Sequence, residues 1–242
     1  MLTSRCLAAR ARGSLALVLA IAAGCDGLRR PSLRTVDPGL QRQPRLERER
    51  TSGGYRLGEY VVERPRLREH AVGEDLGTRP DAPRNPGWRW ELELTVRKGR
   101  QRWTAHCNGR RVPSIAADYG EIADVTNDEI DAQCDIVGEQ RWHLGAHGRL
   151  DKNIGGELKA EGGTAIAPLQ LEIILWVVRL RMIRRSLAAP VMQLKQDRTA
   201  IAAMIVERPQ WAWLGAGAPA ELQGVALTAL AALDALPLGW GE

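Results

Sequence analysis

Phenylalanine is absent from this chain of 242 residues, and only 4 of its 34 basic residues are lysine. With 8 tryptophans present, both gaps fit a biased codon usage and exclude no class of function. The missing motifs exclude more. There is no Gly-x-Ser-x-Gly elbow, no Walker loop and no dinucleotide fingerprint, because Gly155-Gly156 and Gly162-Gly163 stand at strand ends rather than before a helix and read as turns. An excess of one charge is also missing from most of the chain. The formal net charge is +5, yet residues 72–242 carry 20 basic and 22 acidic side chains, which excludes a nucleic-acid-binding domain. What is present suffices for a core: 44% of the residues are hydrophobic and 26% charged, a balance that excludes a wholly disordered chain.

Three arginines, Arg5, Arg10 and Arg12, precede the apolar run from Ser14 to Gly24. Its length fits the core of a secretory signal peptide and falls short of the roughly 20 residues that a helix needs to cross a bilayer. The run ends in Ile21-Ala22-Ala23-Gly24-Cys25. This segment resembles the lipobox of bacterial lipoproteins, where small residues admit the signal peptidase and the cysteine thiol receives a diacylglyceryl group. That family usually has Leu where Ala22 stands. The resemblance implies removal of residues 1–24, lipidation at Cys25, and a membrane-anchored place in the cell envelope facing the periplasm or the exterior. Two or three acyl chains, at about 0.8 kcal/mol per buried CH2, hold such a protein stably. Asp26 resembles an inner-membrane retention signal of enteric bacteria, a rule that varies between lineages.

Residues 25–86 are rich in Arg, Pro, Gly and Glu, with 11 arginines and 7 acids between Asp26 and Ala71. Such composition buries too little apolar surface to offset ordering entropy, so a lipid-anchored, mostly flexible arm is expected. Tyr55 to Glu63 is the exception and could add a strand to the folded body. The arginines are read as part of a solvated linker, with contact to anionic headgroups as the alternative.

The pattern changes at residue 87. Trp88, Trp90, Leu92, Leu94 and Val96 alternate with polar residues, a period of two that marks a half-buried strand. Lys98-Gly-Arg100 supplies a turn, and Trp103, Ala105 and Cys107 continue the apolar face on the return strand. Trp142, Leu144, Ala146, Gly148 and Leu150 begin a second hairpin that turns at Asp151-Lys-Asn153 and returns through Leu158 and Ala160. Leu169 to Met182, Ala200 to Val206 and Trp211 to Leu214 read as further strands. The fold class is therefore mainly β, an antiparallel barrel or sandwich spanning 87–242.

The last segment has helical spacing instead: Leu222, Val225, Ala226, Ala229, Leu230 and Leu233 share one face, and Leu227, Ala231, Ala232 and Leu236 fill the others. One long apolar helix over about 219–236 is expected, packed in or against the sheet. It is too short and too closely followed by Gly-Trp-Gly-Glu to read as a second span. Antiparallel strands followed by one apolar C-terminal helix resemble the tubby-like and phospholipid-scramblase-like fold. The pieces that match are the alternating hairpins, the strands at 200–206 and 211–214, and the helix ending in Ala-Leu-Asp-Ala-Leu236. That resemblance implies a closed barrel with its final helix through the middle and carries no binding residues with it.

With Cys6 in the removed leader and Cys25 acylated, Cys107 and Cys134 remain in a compartment that permits oxidation, which suggests a disulfide. Two separate thiols, or a metal site recruiting His106 and His143, are the alternatives. His106 neighbours Cys107 in a strand and so lies on the opposite face, which makes joint chelation awkward. His143 and His147 have zincin spacing, but no Glu follows His143, and in a strand both face water between Arg141 and Arg149, opposite Glu157 and Lys159. His70 lies in the arm. Glu121, Asp124, Asp128, Glu129, Asp131 and Asp135 read as a solvated acidic connector, since Ile130 replaces the Gly that a calcium loop requires. No catalytic, cofactor or metal site is assigned. The sequence points to a non-catalytic binding or scaffolding domain whose partners are the membrane, through Cys25, and an envelope protein or lipid. A lipid or lipoprotein carrier with an apolar cavity and a hydrolase of envelope polymers are the alternatives, the second needing two carboxylates within about 10 Å.

Overall fold

The computed structural model describes residues 33–72, 87–112, 129–149, 154–162, 166–180, 185–206 and 210–237, with 71–72, 87–88, 175–180 and 185–190 described by their backbone. Alternation sets the sheet. In β5 (Gly87–Lys98), Trp90, Leu92, Leu94 and Val96 are buried on one face while Arg89, Glu91 and Arg97 are exposed on the other. Gly99, in the left-handed region at φ 58°, and Arg100 turn the chain into β6 (Gln101–Val112), which buries Trp103, Ala105 and Cys107 on the same side.

The same two-sided pattern continues through β7 (Glu129–Val137), β8 (Arg141–Arg149) and β9 (Ile154–Ala160). The chain goes on through β10 (Leu169–Leu180), β11 (Arg185–Gln196), β12 (Thr199–Ile205) and β13 (Trp211–Leu214), each strand antiparallel to the one before. Four earlier strands close the ring: β1 (Leu46–Thr51), β2 (Gly54–Leu57), β3 (Tyr60–Glu63) and β4 (Arg66–Val72). β1 pairs with β13, and β3 pairs with β5 through Val61 opposite Arg97. β4 also pairs with β5, one residue out of step with β3, the break falling at Arg64-Pro65 where proline offers no N–H. Counted as one bent strand, β3 and β4 make the 13 strands a closed antiparallel barrel of twelve.

The interior is occupied by the helix α2 (Ala220–Ala235), about 24 Å long at 1.5 Å per residue. It touches β5, β6 and β7 on one side and β11 and β12 on the other, walls that lie across the ring from each other. A helix apolar all round is stable only where every face meets apolar surface, and here residues 224–233 are all buried. Their one hydroxyl, on Thr228, donates to the Gly224 carbonyl at 2.7 Å.

Polar contacts fix both ends of α2. At its start Glu221 accepts from the Trp103 indole at 2.7 Å with one oxygen and from the Glu139 amide at 3.0 Å with the other, close to the positive end of the helix dipole. Toward its end Asp234, whose side chain is 11% exposed, meets Arg48 of β1 at 3.6 Å. The same guanidinium lies 3.8 Å over the Tyr55 ring and donates to Gln210 at 2.7 Å.

Tyr55 is buried, and burial followed by the Asp234 charge pushes its hydroxyl pKa well above the ordinary value near 10. Tyr60 moves the same way, mainly by burial, and Lys98 is raised by its hydrogen bond to Glu59. All three folded-state values lie above the unfolded ones. Their stabilisation is complete below about pH 10 and is lost as pH rises toward the folded values, because the unfolded chain then releases protons that the fold retains. Denaturant melts across the alkaline range should therefore show stability falling above about pH 10, with a shallower fall in Tyr55→Phe.

The folded body begins earlier than residue 87. Residues 46–72 supply four strands: the exception at Tyr55 to Glu63 forms β2 and β3, while β1 and β4 come from stretches assigned by composition to the arm. β1 turns Arg48 toward Asp234 and carries only one apolar residue, Leu46, so it shows none of the apolar alternation that marks a strand. Upstream, Val36 and Leu40 pack with Val191, Ala203, Ile205, Trp211 and Trp213 on the outside of the barrel, around a short helix α1 (Pro38–Gln41) capped by Asp37. Covered outside by this segment and inside by α2, β12 is apolar on both faces. The expected strand at 169–182 is present as far as Leu180, with Arg181 and Met182 outside the described residues, and the helix has 16 residues rather than about 18. Gly156 lies within β9, not in a turn: a Cβ there would overlap the Gly145 carbonyl of the next strand. Gly162 does sit in a turn, at φ 84°. The proposed turn at 151–153 lies outside the described residues.

Candidate functional site

The assigned residues fall in separate places. Cys25, with the leader and its lipobox, lies outside the described residues. Cys107 of β6 and Cys134 of β7 stand directly opposite in register on the inner face and are joined by a disulfide. His106 points outward, away from that bond. The bond is structural in position. Its loss through Cys107→Ala with Cys134→Ala is expected to cost about 3.5 kcal/mol, the loop-closure value for 27 residues of separation, and urea melts would read it directly.

The residues read as an acidic connector divide. Glu129, Asp131 and Asp135 belong to β7, pointing outward between buried Ile130, Ala132, Cys134 and Ile136, whereas 121–128 lie outside the described residues. The alternation was present in the sequence but masked by the density of acids. Those carboxylates, rather than Glu157, partner the two histidines. His143 Nδ1 lies 2.6 Å from Asp135, and His147 lies 3.7 Å from Glu129. Arg141 is 3.6 Å from Glu161, and His70 of β4 is 3.8 Å from Glu91.

Register assembles these side chains into rows on the outer wall. Glu93, His106, Asp135, His143 and Lys159 are successive partners across β5 to β9, and Glu91, Asn108, Gln133, Gly145 and Glu157 form the next row. Gly145 leaves a gap in the middle of this wall, since a Cβ there would meet nothing within 4 Å. Around it lies a shallow, solvent-open depression of about 380 Å³ that includes His106, Asp135, His143, Glu157 and Lys159. A second, of about 570 Å³, continues from Asn108 and Gln133 toward His70, Arg89 and Arg110. Both signs of charge and several amide and imidazole groups alternate here, chemistry suited to a polar partner held by hydrogen bonds rather than to a polyanion.

Among the described residues no group of three or more His, Cys, Asp or Glu side chains is arranged to hold a metal ion, and no helix is long and apolar enough to cross a membrane. The wall residues Asn108, Gln133 and Gly145 carried no signal of their own; only the register of three strands brings them together. No family model matches the chain, and comparison with curated proteins and with solved structures returns no match.

Proposed function

We propose that this chain is a bacterial envelope lipoprotein, anchored through acylated Cys25, whose barrel is a non-catalytic binding or scaffolding domain. The observation that carries the reading is the helix inside the barrel. With α2 packed against facing walls, recognition falls to the exterior, where the Gly145 depression offers hydrogen-bonding groups to a polar envelope partner. A carrier would need the interior that α2 occupies, so the packing favours a scaffold over a carrier. A closed barrel around its final helix is also what the tubby-like and scramblase-like resemblance implies, and kinship with that fold group belongs to the proposal. The leader pattern and the small residues before Cys25 support the anchor, and the Cys107–Cys134 disulfide suits an oxidising compartment.

The test is the intact mass of the chain purified from a membrane fraction without reductant. Loss of residues 1–24 with added acyl mass is the expected result. A mass with the leader removed and no lipid would overturn the anchor.

A further inference from the structure

The β10–β11 hairpin is longer than the barrel needs. Beyond Ile173 no described residue of β9 pairs with β10, and beyond Val191 none of β12 pairs with β11. Both neighbours turn back at this level: β9 comes from β8 where His147 faces Gly155, and β12 leads to β13 where Ile205 faces Trp211. β10 and β11 nevertheless continue for six register pairs, from Leu175 opposite Pro190 to Leu180 opposite Arg185. At about 3.3 Å per residue this two-stranded ribbon extends roughly 20 Å past the barrel rim.

Isolated ribbons are marginal in water, and this one has an unusual composition. By register, Trp176, Val178 and Leu180 share a face with Ala189 and Leu187, and Leu175 and Val177 share the other with Pro190 and Ala188. Arg179 and Arg185 stand at its far end, and no acid occurs between Ile173 and Gln196. An apolar shaft with a basic end matches the interface of an anionic bilayer, where arginine meets phosphate and Trp sits at headgroup level.

The start of the folded chain points to the same occupant. Thr35 and Asp37 are hydrogen-bonded to Gln193, and Val36 shares a cluster with Val191, the residue at which β11 leaves the barrel. The anchoring segment therefore joins the body beside the base of the ribbon. From Cys25 to Leu33 is eight residues, a reach of at most about 28 Å, comparable with the ribbon itself. Resting on the anchored reading, we infer that the β10–β11 ribbon is a second membrane contact, which docks into the anionic leaflet that holds the acylated Cys25 and sets the barrel's orientation on it. The turn at 181–184 lies outside the described residues and is not part of this site.

The test uses the mature chain, residues 25–242 with Cys25→Ser, which carries neither leader nor acyl group, and vesicles of phosphatidylcholine with or without phosphatidylglycerol. Partition should favour the anionic vesicles. It should fall at least about tenfold in the same chain carrying Trp176→Glu with Val178→Glu, and the preference should vanish with Arg179→Glu and Arg185→Glu. Leu187→Asp, at the register partner of Val178, is an independent variant should the first not fold. A parent with no anionic preference, or folded apolar-face variants that partition like the parent, would overturn the ribbon contact. The assay contains no acyl chain, so its failure counts against the ribbon alone, while absent acyl mass on the native protein counts against the anchor alone.

Discussion

Gly224→Val is expected to destabilise the barrel by about 3 kcal/mol, enough to remove much of the stability of an ordinary domain. Gly224 faces the Trp103 indole so closely that even a Cβ would overlap the ring, and Trp103 is fully buried and hydrogen-bonded to Glu221. The ring cannot move away without losing that bond and displacing the Gly138 backbone, where a Cβ would likewise lie 2.5 Å from both Trp103 and Glu221. Overpacking and loss of the hydrogen bond of a buried indole therefore act together. Glycine would ordinarily weaken a helix interior by about 1 kcal/mol, and here the close approach of the indole offsets that cost. Urea melts of the two proteins read the difference, and a change below about 1 kcal/mol would mean that the helix does not lie against β6 as described.

Arg48→Ala should cost about 2 to 3 kcal/mol, although Arg48 lies on a strand with almost no apolar signature. Removing the guanidinium leaves the Asp234 carboxylate, only 11% exposed, at the unfavourable negative end of α2 beside the Tyr55 ring. Much of the loss is the cost of a poorly solvated carboxylate deprived of this counter-charge rather than the value of the pair. Arg48→Met combined with Asp234→Leu should accordingly recover to within about 1 kcal/mol of the parent, and a double-mutant cycle separates the two contributions. Equal melting of the single variant and the parent would show that β1 does not close the barrel over the helix.

Most of this architecture is written as periodicity. The alternation in 88–107 and 142–160 shows two hairpins with one apolar face, and the helical spacing from Leu222 to Leu233 shows an element that needs burial on all sides. Barrel and sandwich predict the same strands, so closure depends on pairings that leave no local trace, β1 with β13 and β3 with β5. Where a strand turns charge inward, as at Arg48, or carries proline, as β11 does at Pro190, its local pattern resembles a linker. Asp234, the lone acid near the end of an apolar helix, was the one local hint that a partly buried cation comes from elsewhere. The outer-wall depression is less legible still, because its floor is a glycine and its rim is drawn from several strands. The cysteine pair needed only compartment and count, and the register places the two residues face to face.

The closest test of a barrel filled by its own helix, with recognition left to the outer wall, is native-state hydrogen exchange on the helix amides. Val225 to Leu233 should exchange only through global unfolding, with the same free energy as the slowest amides of β5 and β6, and an apolar fluorophore should gain no saturable signal from the folded protein. Helix amides that exchange by a separate, lower-energy opening while the strands stay protected would contradict it. They would describe a plug that leaves, and a cavity behind it able to carry an apolar ligand.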